Sequence, residues 1–325
     1  MDFLTDEFLV DPKRFNGPVL VTGAGGCIGA WAMAILKRSG AECIGFDLSA
    51  DRQRPSLVLG AADTEALTWE TGDITDSDSL NSVVRKHSVA SIIHLAGLQV
   101  PFCKADPALG ARINVEGTIN VLEAARRFRI KRTVLASSVA ALALPPGGQW
   151  SETLYGAYKQ ANEHTAFVYW SDWKVPSVCI RPCIVYGLAR DQGVSSKNTV
   201  AIQAAARDEE YIVPYSGPLS WLYAGEAAAA FIAAASQDGQ GAFVFNLNGP
   251  CETVEFGLDV VRSLAPEARI SCAGSQLPFP ADLDDGPLRA HVPDYPNIPV
   301  AEGIKATYRA YQILKSEGRL PPLPN

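Results

Sequence analysis

The stretch PVLVTGAGGCIG, residues 18–29, decides the reading of this chain. An apolar run of the kind that forms a buried strand breaks into a loop with glycines at 23, 26 and 29, and an amphipathic stretch, AWAMAILKRSG, follows at once. A strand, a glycine turn and a helix in that order give each glycine a steric task. One makes the tight turn, one lets backbone approach a ligand, and one lets the helix pack on the strand, with the helix N-terminus facing an anion. The ligand such a loop admits is a dinucleotide pyrophosphate. The spacing is GxxGxxG, which alone is also what a glycine loop that merely turns the chain would show. Asp47 closes the next apolar run, ECIGFD, 18 residues beyond Gly29, where a carboxylate accepts hydrogen bonds from ribose hydroxyls and repels a 2′-phosphate. That selects NAD over NADP, although Asp47 as a turn cap, and Arg52 and Arg54 nearby, leave the other readings open.

Working outward, strand-like runs recur at 18–23, 42–47, 67–74, 91–96, 132–138 and 176–182, separated by stretches with apolar residues at three- and four-residue spacing. Strand, helix, strand repeated this way implies an α/β fold with a doubly wound parallel sheet covered on both faces. From about residue 187 prolines and short turns accumulate, which predicts a smaller, irregular C-terminal lobe. The expected division is a nucleotide-binding domain over 16–186, with 219–248 returning to it, and a lobe built from 187–218 and 249–325.

Composition bounds the function. The chain has 325 residues, 47% hydrophobic and 19% charged, with a net charge of -7 and a pI near 5.2, enough for a large core. No long lysine or arginine block suits a nucleic-acid or anionic-membrane surface, so neither partner is expected. The acidic start, MDFLTDEFLVDPKRF, does not read as a signal peptide, and AAAAFIAAA at 227–235 is too short to span a bilayer and is read as a buried helix. Seven cysteines without a CxxC pair are read as reduced thiols of a cytoplasmic protein, with no metal site expected.

The stretch YGAYKQANEH carries the chemistry. Tyr155 and Lys159 are four apart and share a helix face. A phenol, with a reference pKa near 10, is a poor base at neutrality, and an ammonium beside it favours the phenolate. Tyr155 then takes a proton from a substrate alcohol while hydride leaves, or returns it in reverse. Ser138, at the end of LASS, stands where the carboxyl end of a parallel strand meets the ligand crevice and is placed to orient the same oxygen. GDITD places Asp73 and Ile74 after the third strand, and HLAG brings Leu95, Ala96 and Gly97 to the end of the fourth; His94 is read as a core histidine.

TGAGGCIG, GDITD, HLAG, NVEGTINVLEAA, the Ser137-Ser138 pair, YGAYK, RPCIVYG and WLYAGEAAAAF, in this order, resemble the extended short-chain dehydrogenase/reductase family, its NAD-dependent epimerase/dehydratase group, over roughly residues 17–250. The resemblance implies a Rossmann domain that binds NAD through Gly23, Gly26, Cys27, Ile28, Gly29, Asp47, Asp73, Ile74, Leu95, Ala96, Gly97, Asn114 and Pro182, with Ser138, Tyr155 and Lys159 as catalytic residues. The latter two also touch the cofactor. It places the Arg181-Pro182 corner beside the nicotinamide, makes the lobe after residue 187 a substrate-binding lobe, and implies pairing of the helices around 107–128 and 154–171 in a homodimer, where packing on the chain's own sheet is the plain alternative.

The sequence departs from the pattern where nucleotide-sugar enzymes hold a diphosphate. Ile184 replaces the usual asparagine, and Leu219 and Ser220 stand near the usual arginine. Charge-assisted bonds of that kind contribute about 1.5–3 kcal/mol each. Their loss favours a small polyhydroxylated alcohol, sugar or sugar acid, with Gln99, Ser138, Arg190, Asn198, Thr199 and Tyr223 as candidate contacts. Arg190 suits a carboxylate fork, or is a solvated surface arginine. The expected activity is NAD-dependent oxidation or reduction of a hydroxyl or carbonyl. An epimerase using tightly bound NAD is the alternative, and a non-catalytic NAD-sensing module is a third reading. Elimination is disfavoured because Val139 and Ala140 after Ser138 supply no acid.

Overall fold

The computed structural model describes residues 6–143 and 152–324; residues 1–5 of the acidic start, 144–151 and Asn325 lie outside it. Seven strands form one parallel sheet: β1 (Val19–Thr22), β2 (Cys43–Asp47), β3 (Thr68–Thr71), β4 (Ser91–His94), β5 (Arg132–Ala136), β6 (Ser177–Pro182) and β7 (Ala242–Leu247). Their order is β7-β6-β5-β4-β1-β2-β3, with Val19 opposite both Cys43 and Ser91. Chain direction across the sheet reverses at β1, so a crevice opens beyond the carboxyl ends of β1 and β4. The first six strands match the expected runs. β7 is not among them, and its pairing with β6 brings the segment after residue 236 back to the sheet.

Strand residues alternate between two cores, as the pleat demands. Val19, Val21, Ile93, Val134 and Ile180 face one side, packed with α1 (Cys27–Arg38) and α6 (Ala224–Ala235). Leu20, Ile44, Ile92, Leu135 and Cys179 face the other, against α2 (Ser77–Lys86), α3 (Gly117–Phe128) and α4 (Leu154–Trp173). All twelve residues of α6 are buried; it is the expected internal alanine helix, and its small side chains let it lie close along α1.

The C-terminal part is more regular than its prolines suggest. Helices α5 (Lys197–Arg207), α7 (Val254–Leu264) and α8 (Val300–Ser316) pack on one another, flanked by short pairings such as Pro218–Ser220 with Cys251–Thr253. Burial of Val254, Leu258 and Val261 on α7, and of Ile304, Tyr308, Tyr311 and Leu314 on α8, supplies the apolar stripes.

Candidate active site

The glycine loop is fixed by close approach. Gly23 has φ +68°, and a Cβ there would lie 2.6 Å from the Ala96 nitrogen; one on Gly29 would lie 2.2 Å from the Gly23 carbonyl oxygen. No side chain larger than hydrogen fits either place. The Gly26 N–H donates to the Gly23 carbonyl at 3.0 Å and Gly26 caps α1 without a side-chain cap. The first amides of α1 are therefore available for an anion at its positive end.

Asp47 ends β2 at the rim of this loop and accepts from the Gly25 N–H at 2.9 Å. The two nearby arginines are both engaged by other groups of the protein. Arg52 donates to the Thr64 carbonyl at 3.2 Å and lies 5.2 Å over the Trp69 ring, while Arg54 bonds Asp191 at 3.0 Å and the Gly25 carbonyl at 3.1 Å. Asp73 accepts from the Thr75 N–H in its own turn, and Ile74 is buried against Gly117. His94 is a satisfied core residue as expected: it bonds Thr22 at 2.7 Å and Thr118 at 3.2 Å, and burial pushes its pKa down to about 3.

A cavity of about 380 Å³ runs from Gly23, Gly26, Cys27, Ile28 and Gly29, past Leu95, Gly97 and Gln99, to Ser138, Tyr155, Lys159, Pro182 and Arg190. α4 enters it by a defined local device. The Thr153 hydroxyl accepts from the Gly156 N–H at 2.9 Å, and a Cβ on Gly156 would lie 2.4 Å from the Ala140 carbonyl. The first turn of α4 is thus pressed against the turn that follows Ser138, which sets Tyr155 beside that serine.

Burial raises the pKa of half-buried Tyr155; the Ser138 hydroxyl hydrogen-bonded to it and the Arg190 charge work the other way. The Lys159 Nζ lies 5.6 Å from the Tyr155 ring centre and donates to the Ala136 carbonyl at 2.7 Å. Desolvation pulls Lys159 down to about 8, so the ammonium persists at neutral pH. Asn114 sits in a π-helical turn, Arg112–Glu116, that leads into α3; its amide nitrogen donates to the Gly110 carbonyl at 3.0 Å and its buried Oδ1 has no partner. Gly97 keeps this region open, since a Cβ there would lie 2.7 Å from that oxygen and 3.4 Å from the Lys159 Nζ.

Of the expected substrate contacts, the structure brings Gln99, Ser138 and Arg190 together. Asn198, Thr199 and Tyr223, also expected there, are not among the residues that line this cavity. Asn198 and Thr199 are buried at the start of α5, where the Asn198 N–H donates to the Tyr215 hydroxyl at 3.1 Å and the Thr199 hydroxyl accepts from the Gly187 N–H at 3.2 Å. Tyr223 belongs to an aromatic core, 5.3 Å from Trp31 and 5.6 Å from Tyr186 between ring centres.

With this geometry in place, comparison with known proteins gives a match to the NAD dependent epimerase/dehydratase family over residues 19–247. The chain belongs to that family. UDP-glucuronate 4-epimerase 4 of Arabidopsis thaliana is 30% identical over 182 residues, which cover 52% of this chain and 42% of that protein. UDP-glucose 4-epimerase of Rhizobium leguminosarum bv. trifolii is 34% identical over 136 residues, covering 42% and 39%. The chain thus matches about two fifths of the length of these relatives. The NAD complex of a UDP-glucose 4-epimerase from Thermus thermophilus superposes with a TM-score of 0.74 at 23% identity, covering 90% of this chain and 98% of that one, which shows a shared fold.

The dinucleotide that the family name specifies suits the residues found here: a loop whose Gly23 and Gly29 admit no Cβ, an uncapped helix start at the cavity, and the Asp47 carboxylate beside the loop. Sequence reading of this family member missed Glu163. It lies one turn beyond Lys159, 2% exposed, accepts from the Ser137 hydroxyl, and takes Arg181 Nε at 2.7 Å and Nη2 at 2.6 Å. Tyr155, Lys159 and Glu163 follow a spacing of four, which is the signal that would have found it. Thr153, Ile184, Ser195 and Phe279 also line the cavity.

Proposed function

We propose that the protein is an NAD-dependent oxidoreductase acting on the hydroxyl or carbonyl of a small polyhydroxylated substrate. The convergence of Ser138, Tyr155 and Lys159 on the cavity that the glycine loop opens carries this reading. NAD, when bound, supplies the hydride acceptor. The α1 amides would hold its pyrophosphate and Asp47 its ribose. Ser138 positions the reacting oxygen of the substrate, and Tyr155 accepts the proton as the alcohol becomes a carbonyl. The Lys159 ammonium favours the phenolate that Tyr155 must become to act as base. Apolar walls from Leu95, Val139, Pro182 and Ile184 limit water around the reacting oxygen.

The partial similarity to UDP-sugar 4-epimerases favours a second reading, an epimerase that oxidises and then reduces the same carbon on retained NAD. Purifying the protein without added cofactor, denaturing it and quantifying released nucleotide separates the two. Little retained nucleotide, with reversible NAD binding and NADH formation, supports the exchanging dehydrogenase; near-stoichiometric NAD without net NADH formation overturns it in favour of epimerisation.

The reading extends to assembly and location. Leu154, Phe167, Val168 and Trp173 leave large apolar side chains exposed on α4, which supports pairing of this helix in a homodimer. A monomer by sedimentation at micromolar concentration would remove that pairing. All seven cysteines are free, in keeping with a cytoplasmic setting.

A further inference from the structure

The cavity wall holds two buried polar atoms without a partner, Arg190 Nε and Gln99 Oε1. Buried polar groups are nearly always satisfied, so two such atoms in one wall call for a ligand. Gly193 shapes the space between them: a Cβ there would lie 2.5 Å from Gln99 Oε1 and 3.3 Å from Arg190 Nη2. The guanidinium makes one long bond, Nη2 to the Ser195 hydroxyl at 3.3 Å. Its charge acts on both Tyr155 and Cys27, which line the same cavity.

The loop presenting Arg190 is held under constraint. Ala189 has φ +71°, a left-handed conformation that costs a residue with a Cβ. The strain is retained because the Trp31 indole donates to the Leu188 carbonyl at 2.9 Å and the Arg190 N–H donates to the Gly187 carbonyl at 3.0 Å. The described cavity wall has no carboxylate, and its two cations are Lys159, bonded to the Ala136 carbonyl, and Arg190. One available guanidinium balances one negative charge. A diphosphate would need more, and Ile184 supplies none.

We propose that Arg190 and Gln99 form a carboxylate and hydroxyl subsite, so that the substrate is a small hydroxy acid: Arg190 holds the carboxylate, Gln99 accepts from a non-reacting hydroxyl, and another hydroxyl lies at Tyr155 and Ser138. This rests on the oxidoreductase reading above and names its substrate class. The test uses the full chain saturated with NAD. Melting temperature and NADH formation are followed with D-gluconate, D-erythronate and D-glycerate, with their neutral counterparts glucitol, erythritol and glycerol, and with UDP-glucose. Acids are expected to raise the melting temperature and reduce NAD, and the other compounds to do neither. Arg190→Gln should raise KM for the responding acid about 10- to 150-fold, while the NAD Kd stays within about twofold and the ligand-free melting temperature is unchanged. Arg190→Lys should restore only part, because an ammonium lacks the planar fork.

Failure of every acid to bind, equal response to polyols or UDP-glucose, or an Arg190→Gln defect confined to NAD affinity overturns the subsite. Failure of the wild type to bind NAD, or unchanged turnover in Tyr155→Phe, instead overturns the oxidoreductase reading.

Discussion

Glu163→Gln keeps the shape of a buried side chain and removes its charge from the network beneath the catalytic lysine. Glu163 receives the Ser137 hydroxyl and both arms of Arg181, so the carboxylate joins α4 to the ends of β5 and β6. Breaking a buried ion pair from one side costs about 3–5 kcal/mol. The Arg181 side chain keeps 20% of its surface exposed, and glutamine retains one acceptor, so about 2–3 kcal/mol is expected. At about 2 °C per kcal/mol for a chain of this size, melting should fall by about 4–6 °C. Glu163→Gln/Arg181→Gln pairs two neutral amides and should be more stable than the sum of the single losses by about 1–2 kcal/mol.

Activity gives a second readout. The Glu163 charge helps hold Lys159 up against desolvation, so its removal moves the lysine further below about 8. Lysine acts as the ammonium, and activity is lost as pH rises through its pKa; the alkaline limb of kcat/KM should therefore move to lower pH. Circular dichroism melts and pH-rate profiles of the four proteins check both expectations. A melting change under about 1 °C for Glu163→Gln, or additive losses in the double variant, would refute the reasoning.

Tyr155→Phe should lower kcat about 10²- to 10⁴-fold, with a much smaller change in NAD affinity by calorimetry, since it removes the proton-accepting hydroxyl and keeps the ring. Gly29→Ala drives a methyl to 2.2 Å from the Gly23 oxygen, so the loop must shift and nucleotide titration should show NAD affinity falling at least about tenfold. Burial raises Glu226 to about 7, above its usual value, so its proton is held more tightly in the folded state and stability drops as pH rises from about 4.5 to 7. Glu226→Gln removes that slope, and its stability relative to wild type should grow by about 2–3 kcal/mol between pH 5 and 8 in urea titrations.

The glycine loop was legible because its requirements are steric and local: Gly23 and Gly29 cannot carry a Cβ, and strand and helix patterns flank them. The Tyr155-Lys159 face was legible for the same reason, since helical period fixes which residues meet. β7 was not, because AFVFNL sits at the sheet edge with mixed burial and only its pairing with β6 makes it a strand. Asn198 and Thr199 lie on α5, which is buried nearly all round, so polarity alone does not mark a face turned to a ligand. Tyr223 packs among aromatic rings, a role that a tyrosine beside a motif fills as readily as a pocket wall. Gln99 and Arg190 were reached by sequence, but their opposition across Gly193 arises between segments some ninety residues apart.

Two clasps join the nucleotide loop to the loop that carries Arg190: the Trp31 indole on the Leu188 carbonyl, and Arg54, which spans Asp191 and the Gly25 carbonyl. The walls that face the two ligands therefore share hydrogen bonds and do not settle independently. Whatever tightens one wall against its ligand acts on the other, and by thermodynamic reciprocity each ligand must alter the affinity of its companion by the same factor. A mutation at Trp31 or Arg54, touching neither ligand, would then register as a change in the cooperativity between them.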